Sequence, residues 1–194
     1  MLQSIEDWRE WLDSSPSSLE DIYGSKCLQG RIRLIKKCLD VFETNFNDCS
    51  NISVFRAPSR INLRGMHIDK HGGNCNGIAI NRETVVVGRK EKNSKIVQIH
   101  NPPRKSFCFD ISKISETSVP TKGWEKYIIA CFKVLYELFE HEIENWNGYS
   151  AAVVSDIPQG SGLSSSHSFI IAILCFTLKM NSKESILCKL YSLL

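Results

Sequence analysis

The stretch from Tyr149 to Phe176 limits this chain most: an apolar run, YSAAVVSDI, then PQGSGLSSSH over Pro158 to His167, then SFIIAILCF. A short apolar run bounded by turn residues reads as a strand, and the apolar run that follows the serines reads as a buried helix. The loop between them must therefore turn the chain sharply. Glycines 160 and 162 permit that turn, and the last serines open the helix near Ser165. The first amides of a helix lack intrahelical partners, and together with the positive end of the helix dipole they form an anion site. Three serine hydroxyls add donors and an oxygen ligand suited to a hard metal ion. Phosphate is the natural guest. A Walker A loop needs a lysine before its Ser/Thr, and a dinucleotide fingerprint needs a third glycine where Ser165 stands, so both are disfavoured. From this stretch alone, a capped helix that binds nothing remains an equal alternative.

The rest of the chain supplies a frame. Residues 1–50 read as helical, with Ile32, Leu34, Ile35, Cys38, Leu39 and Phe42 recurring mostly at three-to-four spacing. From Ile52 the texture changes to short apolar runs separated by turn residues: ISVFRAP, RINLRG, GIAI, TVVVGRK, KIVQIH and SFCFDI. A further helix begins near Gly123 and Trp124, with one apolar face through Tyr127, Ile128, Cys131, Val134, Leu135, Leu138 and Phe139. The expected class is α+β, a mixed and largely antiparallel sheet packed with helices. Its expected division is a helical N-terminal extension over 1–50 and an α+β domain over 51–194.

Composition excludes several classes of function. With a net charge of +3 and no long same-sign run, neither nucleic acid nor a membrane surface is an expected partner. Eight cysteines occur without a C-x-x-C pair or histidine at zinc-ligand spacing, which favours free thiols in a reducing compartment. The first residues, MLQSIEDWREWL, are acidic and lack a signal-peptide pattern, so a cytoplasmic location is expected. The longest apolar run, Phe169 to Phe176, is far short of the roughly 20 residues that a membrane-spanning helix requires.

A second segment decides between the readings of the loop. RAPSRINLRGMHIDKHGGNCN, residues 56 to 76, concentrates ionisable groups just after a strand, with glycines at 65, 72 and 73. In a regular strand Arg60, Asn62 and Arg64 share one face, and His67 and Asp69 lie in the turn beyond, a set suited to hydroxyl-rich ligands. A solvated, charge-rich turn is the plain alternative.

R-x-N-L-x-G-x-H-x-D-x-x-G-G, read at Arg60, Asn62, Leu63, Gly65, His67, Asp69, Gly72 and Gly73, resembles the galactokinase signature. PQGSGLSSS resembles the phosphate-binding motif of the wider GHMP kinase family. TVVVGRK and the helix opening W-E-K-Y fall where galactokinases carry similar segments, so the resemblance covers about residues 52 to 180. It implies an ATP- and Mg²⁺-dependent kinase that phosphorylates a sugar hydroxyl, the anomeric one, with sugar and ATP as its small-molecule partners. Arg60 is implied as the catalytic cation. Met66, His67 and Asp69 are implied as sugar contacts. Pro158, Gly160, Ser161, Gly162, Leu163, Ser164, Ser165 and Ser166 are implied around the ATP phosphates, Trp124 near adenine, and Ser166 on the metal.

Three departures bear on the sugar. The family's glutamate before the histidine is Met66, its Tyr-Asn pair after the aspartate is Lys70-His71, and its alanine after the serines is His167. A thioether suits a sugar without a hydroxyl at that contact, since a buried unpaired polar group costs about 1–3 kcal/mol. Arg64 on the Arg60 face would favour an acidic or heavily hydroxylated sugar, unless a bulge near Gly65 turns it to solvent. Galactokinases place their catalytic aspartate and third nucleotide motif further downstream than Leu194, and SILCKLYSLL reads as an interrupted domain. The isolated chain is therefore expected to show no turnover. A galactokinase-like sensor that binds sugar and ATP but acts through protein partners is the competing reading.

Overall fold

The computed structural model describes residues 3–65, 71–139, 142–183 and 185–186. Three helices come first: α1 (Ile5–Asp13), α2 (Ser17–Tyr23) and α3 (Ser25–Asn45). A capping box starts α1, with the Asp7 amide donating to Ser4 Oγ at 3.1 Å and the Ser4 amide donating to Asp7 Oδ2 at 3.1 Å. Pro16 introduces α2, and Gly24, at φ +71°, turns the chain directly into α3. Leu28, Ile32, Ile35, Leu39 and Phe42 form the buried stripe of α3.

The sheet follows: β1 (Ser53–Arg64), β2 (Asn76–Lys90), β3 (Ile96–His100), β4 (Phe107–Asp110) and β5 (Tyr149–Ser155), in the order β1-β2-β5-β3-β4. All neighbours are antiparallel except β3 and β5, which run parallel. ISVFRAP and RINLRG, read as two runs, are one strand, and GIAI and TVVVGRK are another. Pro58 interrupts the first without ending it, because β1 is an edge strand and its register on β2 slips between Pro58 and Ser59. Helices α4 (Glu125–Leu138) and α5 (Ser165–Met180), with short 3-10 turns at Ile111–Lys113 and Glu142–Asn145, complete the chain's described elements, and no described helix is long and apolar enough to cross a membrane.

Two hydrophobic cores lie on opposite faces of this sheet. Val86, Ala151 and Val153 join α4 and α5 in one, with Trp124, Phe132, Phe169 and Phe176. Val85, Val87, Ala152 and Val154 join α1–α3 in the other, with Leu39 and Phe42. Alternate residues of β2 and β5 thus serve opposite layers, which is why these strands read as unbroken apolar runs. The N-terminal helices are the second covering layer of the sheet.

Candidate functional site

The loop from Asp156 to Ser164 carries the chain from the central strand β5 to α5. Gly160 and Gly162 take φ values of +71° and +75°, and Ser164 itself is left-handed at φ 59°. Ser164 occupies the cap position of α5 but makes no capping hydrogen bond with its side chain. Its carbonyl accepts the first helical bond, from the Ser168 amide at 3.1 Å. The amides of Ser165, Ser166 and His167 precede that bond, so the helix presents an uncapped positive end.

Side chains anchor the loop from below. Ser59 Oγ on β1 donates to the Leu163 carbonyl, and Ser168 Oγ donates to the Ala57 carbonyl at 2.7 Å and lies 2.9 Å from Thr84 Oγ1. Ser161 Oγ closes the turn on the Pro158 carbonyl at 2.7 Å. Ser165 and Ser166, by contrast, line a cleft of about 390 Å³. That volume lies within the roughly 300–1,000 Å³ usual for small-molecule sites.

The lining of the cleft is part apolar and part polar. Trp124, Tyr127, Val153, Ile157 and Phe169 form the apolar part. Trp124 is held edge-on by Phe107 at 6.1 Å and Phe169 at 5.9 Å, so its ring is fixed before any ligand arrives. Gln159, Gly160, Ser165, Ser166 and the α5 N-terminus form the polar part, and Arg104 adds a cation. Such a cleft matches a ligand with one flat apolar part and one anionic part. Sequence reasoning named Trp124, Gly160, Ser165 and Ser166 among these residues and missed Asn101, Arg104, Tyr127 and Gln159. Tyr127 was within reach, one helical turn after Trp124. Asn101 and Arg104 sit on the β3–β4 connection, whose local sequence, NPPR, carries no ligand-binding signature.

The first motif lies along β1. Arg60 pairs across from Ala79 and Asn62 from Gly77, and the register then slips between Asn62 and Arg64. That bulge breaks the alternation, and Arg64 is exposed. The shared face therefore holds for Arg60 and Asn62 and not for Arg64. Arg60 Nε and Asn62 Oδ1 are buried without a partner among the described residues, a costly state unless a ligand or a neighbouring segment supplies one. Met66, His67 and Asp69 lie outside the described residues. The two motifs meet through the Ser59–Leu163 bond, one residue before Arg60.

Residues 40–90 match the family described as the galactokinase galactose-binding signature, and residues 126–191 match the GHMP kinases N-terminal domain. Galactokinase of Dictyostelium discoideum is 28% identical over 190 residues, covering 93% of this chain and 37% of that protein. Galactokinase of Thermococcus kodakarensis is 32% identical over 120 residues, covering 62% of this chain and 31% of that protein. Among solved structures, Lactococcus lactis galactokinase complexed with galactose superposes with a TM-score of 0.63 at 26% identity, over 73% of this chain and 36% of that one. Methanococcus jannaschii mevalonate kinase superposes with a TM-score of 0.57 at 22% identity, over 68% of this chain and 41% of that one, which speaks to the fold alone. This chain thus spans about a third of the length of the curated relatives it matches.

Proposed function

From a chain related to the GHMP kinases and, within them, to the galactokinases, we propose that it carries the nucleotide-phosphate and sugar-binding parts of a kinase that transfers phosphate from ATP to a sugar hydroxyl, the anomeric one. The observation that carries this reading is the cleft lined both by the fixed ring of Trp124 and by Ser165 and Ser166 at the uncapped N-terminus of α5. Adenine stacks on the apolar part near Trp124, and Gly160 to Ser166 receive the phosphates through backbone amides and hydroxyls. ATP supplies the transferable phosphoryl group. Mg²⁺ would be carried in on the phosphates, with Ser166 as its protein ligand, and would supply charge neutralisation.

Arg60 is the cation that faces charge developing at the sugar oxygen, and its unpartnered Nε is free for that duty among the described residues. His67 and Asp69 contact sugar hydroxyls, and Met66 meets the sugar where it lacks one. Pro158, Ser161 and Leu163 shape the loop rather than touch phosphate by side chain, since the Ser161 hydroxyl and the Pro158 and Leu163 carbonyls are spent on internal bonds.

Isothermal titration of the 194-residue chain with Mg-ATP tests the loop. Gly162→Asn and Gly162→Asp are alike in size and both tolerate a positive φ, but only the second sets a carboxylate against phosphate. Affinity is expected to fall at least about tenfold further in the aspartate variant, from like-charge repulsion in a site of reduced dielectric. Equal affinity in the two would remove phosphate from this loop.

A further inference from the structure

Asp156 stands between the last residue of β5 and the glycine-serine loop, and its carboxylate is fully engaged. Oδ1 accepts the Glu83 amide at 2.9 Å. Oδ2 accepts Arg31 Nη2 in a short contact and Arg82 Nη1 at 3.1 Å. The Asp156 amide donates to the Glu83 carbonyl at 3.3 Å, so main chain and side chain together extend the β2–β5 pairing past its last strand pair, Thr84 with Ser155.

The partner on the other side comes from far along the chain. Arg31 belongs to α3, and its side chain is only 9% exposed. Beside it Glu83, with a side chain 2% exposed, accepts Arg56 Nη1 at 3.0 Å and the Tyr23 hydroxyl at 2.8 Å. The Arg56 guanidinium in turn lies over the Tyr23 ring, 4.5 Å from its centroid. A network of α2, α3, β1 and β2 residues thus converges on the carboxylate that opens the loop.

Buried ion pairs add little net stability, because desolvation offsets most of their attraction. The apolar stripe of α3 already docks that helix on the sheet. What the pair does fix is a position: it holds the root of the loop, as the Ser59–Leu163 and Ser168–Ala57 bonds hold its far end. We propose that Arg31 is a positioning residue, which clamps Asp156 so that Gly160 to Ser166 stand in the geometry that receives phosphate. This inference rests on the phosphate reading of the loop.

The test uses the 194-residue chain with Arg31→Met, Arg31→Lys, Asp156→Asn and, as control, Arg9→Met, which breaks an exposed pairing of α1 with Asp40 and Glu43 on α3. Two readouts are taken, amide hydrogen exchange without ligand and Mg-ATP affinity. Arg31→Met is expected to speed exchange about tenfold at the root of the loop, at the Asp156 and Ile157 amides bonded to the Glu83 carbonyl and Ser155 Oγ, while amides within β5 keep wild-type protection, a local opening. Mg-ATP affinity is expected to fall by about tenfold or more, since small misplacements of a binding loop are costly. Arg31→Lys should restore part of both effects, and Arg9→Met should leave both unchanged. Loop exchange that stays at the wild-type rate, or that rises equally with β5, overturns the proposal. If the wild-type chain does not bind Mg-ATP, the phosphate reading fails, while the exchange data still decide whether Arg31 orders the loop. Should Arg31→Met not fold, Asp156→Asn carries the same expectation, because it removes the charge and keeps the acceptor for the Glu83 amide.

Discussion

Gly88 and Gly162 are required for different physical reasons. Gly88 faces Ala151 across the β2–β5 ladder, and a Cβ there would come within 2.8 Å of Phe176 Cζ and 2.9 Å of Ala151 Cα. Overpacking of this kind costs about 1–3 kcal/mol, so Gly88→Ala should lower the unfolding free energy by that amount, read as a lower urea midpoint at an unchanged slope. Around Gly162 a Cβ would meet nothing within 4 Å, yet its φ is +75°. There the cost is backbone strain of about 1–2 kcal/mol, and Gly162→Asn should lose less than Gly162→Ala, because asparagine tolerates positive φ. Equal losses in those two variants would show that φ is not the source. Asp156 adds a pH signature. Burial pushes its carboxyl up, but the Arg31 hydrogen bond and the Glu83 amide outweigh it, leaving it below the ordinary 3.8. The unfolded chain therefore takes up that proton at higher pH than the folded chain. The stability it contributes is complete above the ordinary value and is lost as pH falls through the folded value. The stability difference between wild type and Asp156→Asn, measured by urea unfolding from about pH 6 downward, should shrink in acid; a difference constant to the acid limit would contradict the ion pair.

At the scale of elements, α3 and α5 illustrate opposite uses of a helix. α3 is held by its apolar stripe, and Phe42, fully buried against Val85, Val87 and their neighbours, is its deepest aromatic. Phe42→Ala should cost about 3–5 kcal/mol, whereas Asp40→Ala on the exposed side, which loses only a surface pair with Arg9, should cost under about 1 kcal/mol. Chemical denaturation of the two variants checks the contrast. α5 is apolar along nearly its whole length, and its buried residues include Phe169, Ala172, Ile173 and Phe176. Its seating is firm enough for its first turn to be left without a side-chain cap, so the free amides face the cleft instead of being satisfied locally.

Across the whole molecule, one sheet is shared by two cores, so the layers are expected to unfold together. Trp8 and Trp11 pack against the α1–α3 core, and Trp124 and Trp146 belong to the other. Variants that keep tryptophan in only one core should report coincident denaturation midpoints. Separate midpoints would mean that the N-terminal layer unfolds by itself.

The sequence alone determined the helices, the strand-loop-helix unit and the two motifs that resemble galactokinases and GHMP kinases, because periodicity, caps and positive-φ glycines are fixed by residues close in the chain. It also placed Trp124 with Ser165 and Ser166, through the resemblance. It misplaced part of the buried face of α4, where Ile129 and Phe132 are buried and Val134 and Leu138 are exposed. Tertiary structure decided the rest. The insertion of β5 between β2 and β3 made both faces of the central strands apolar, and so gave residues 1–50 a face to cover. The edge position of β1 let it run through Pro58, and the bulge after Asn62 moved Arg64 out to solvent. Arg31 met Asp156 across 125 positions of sequence, a contact that no local pattern encodes, because it exists only once α3 and β5 have been brought to the same sheet by burial.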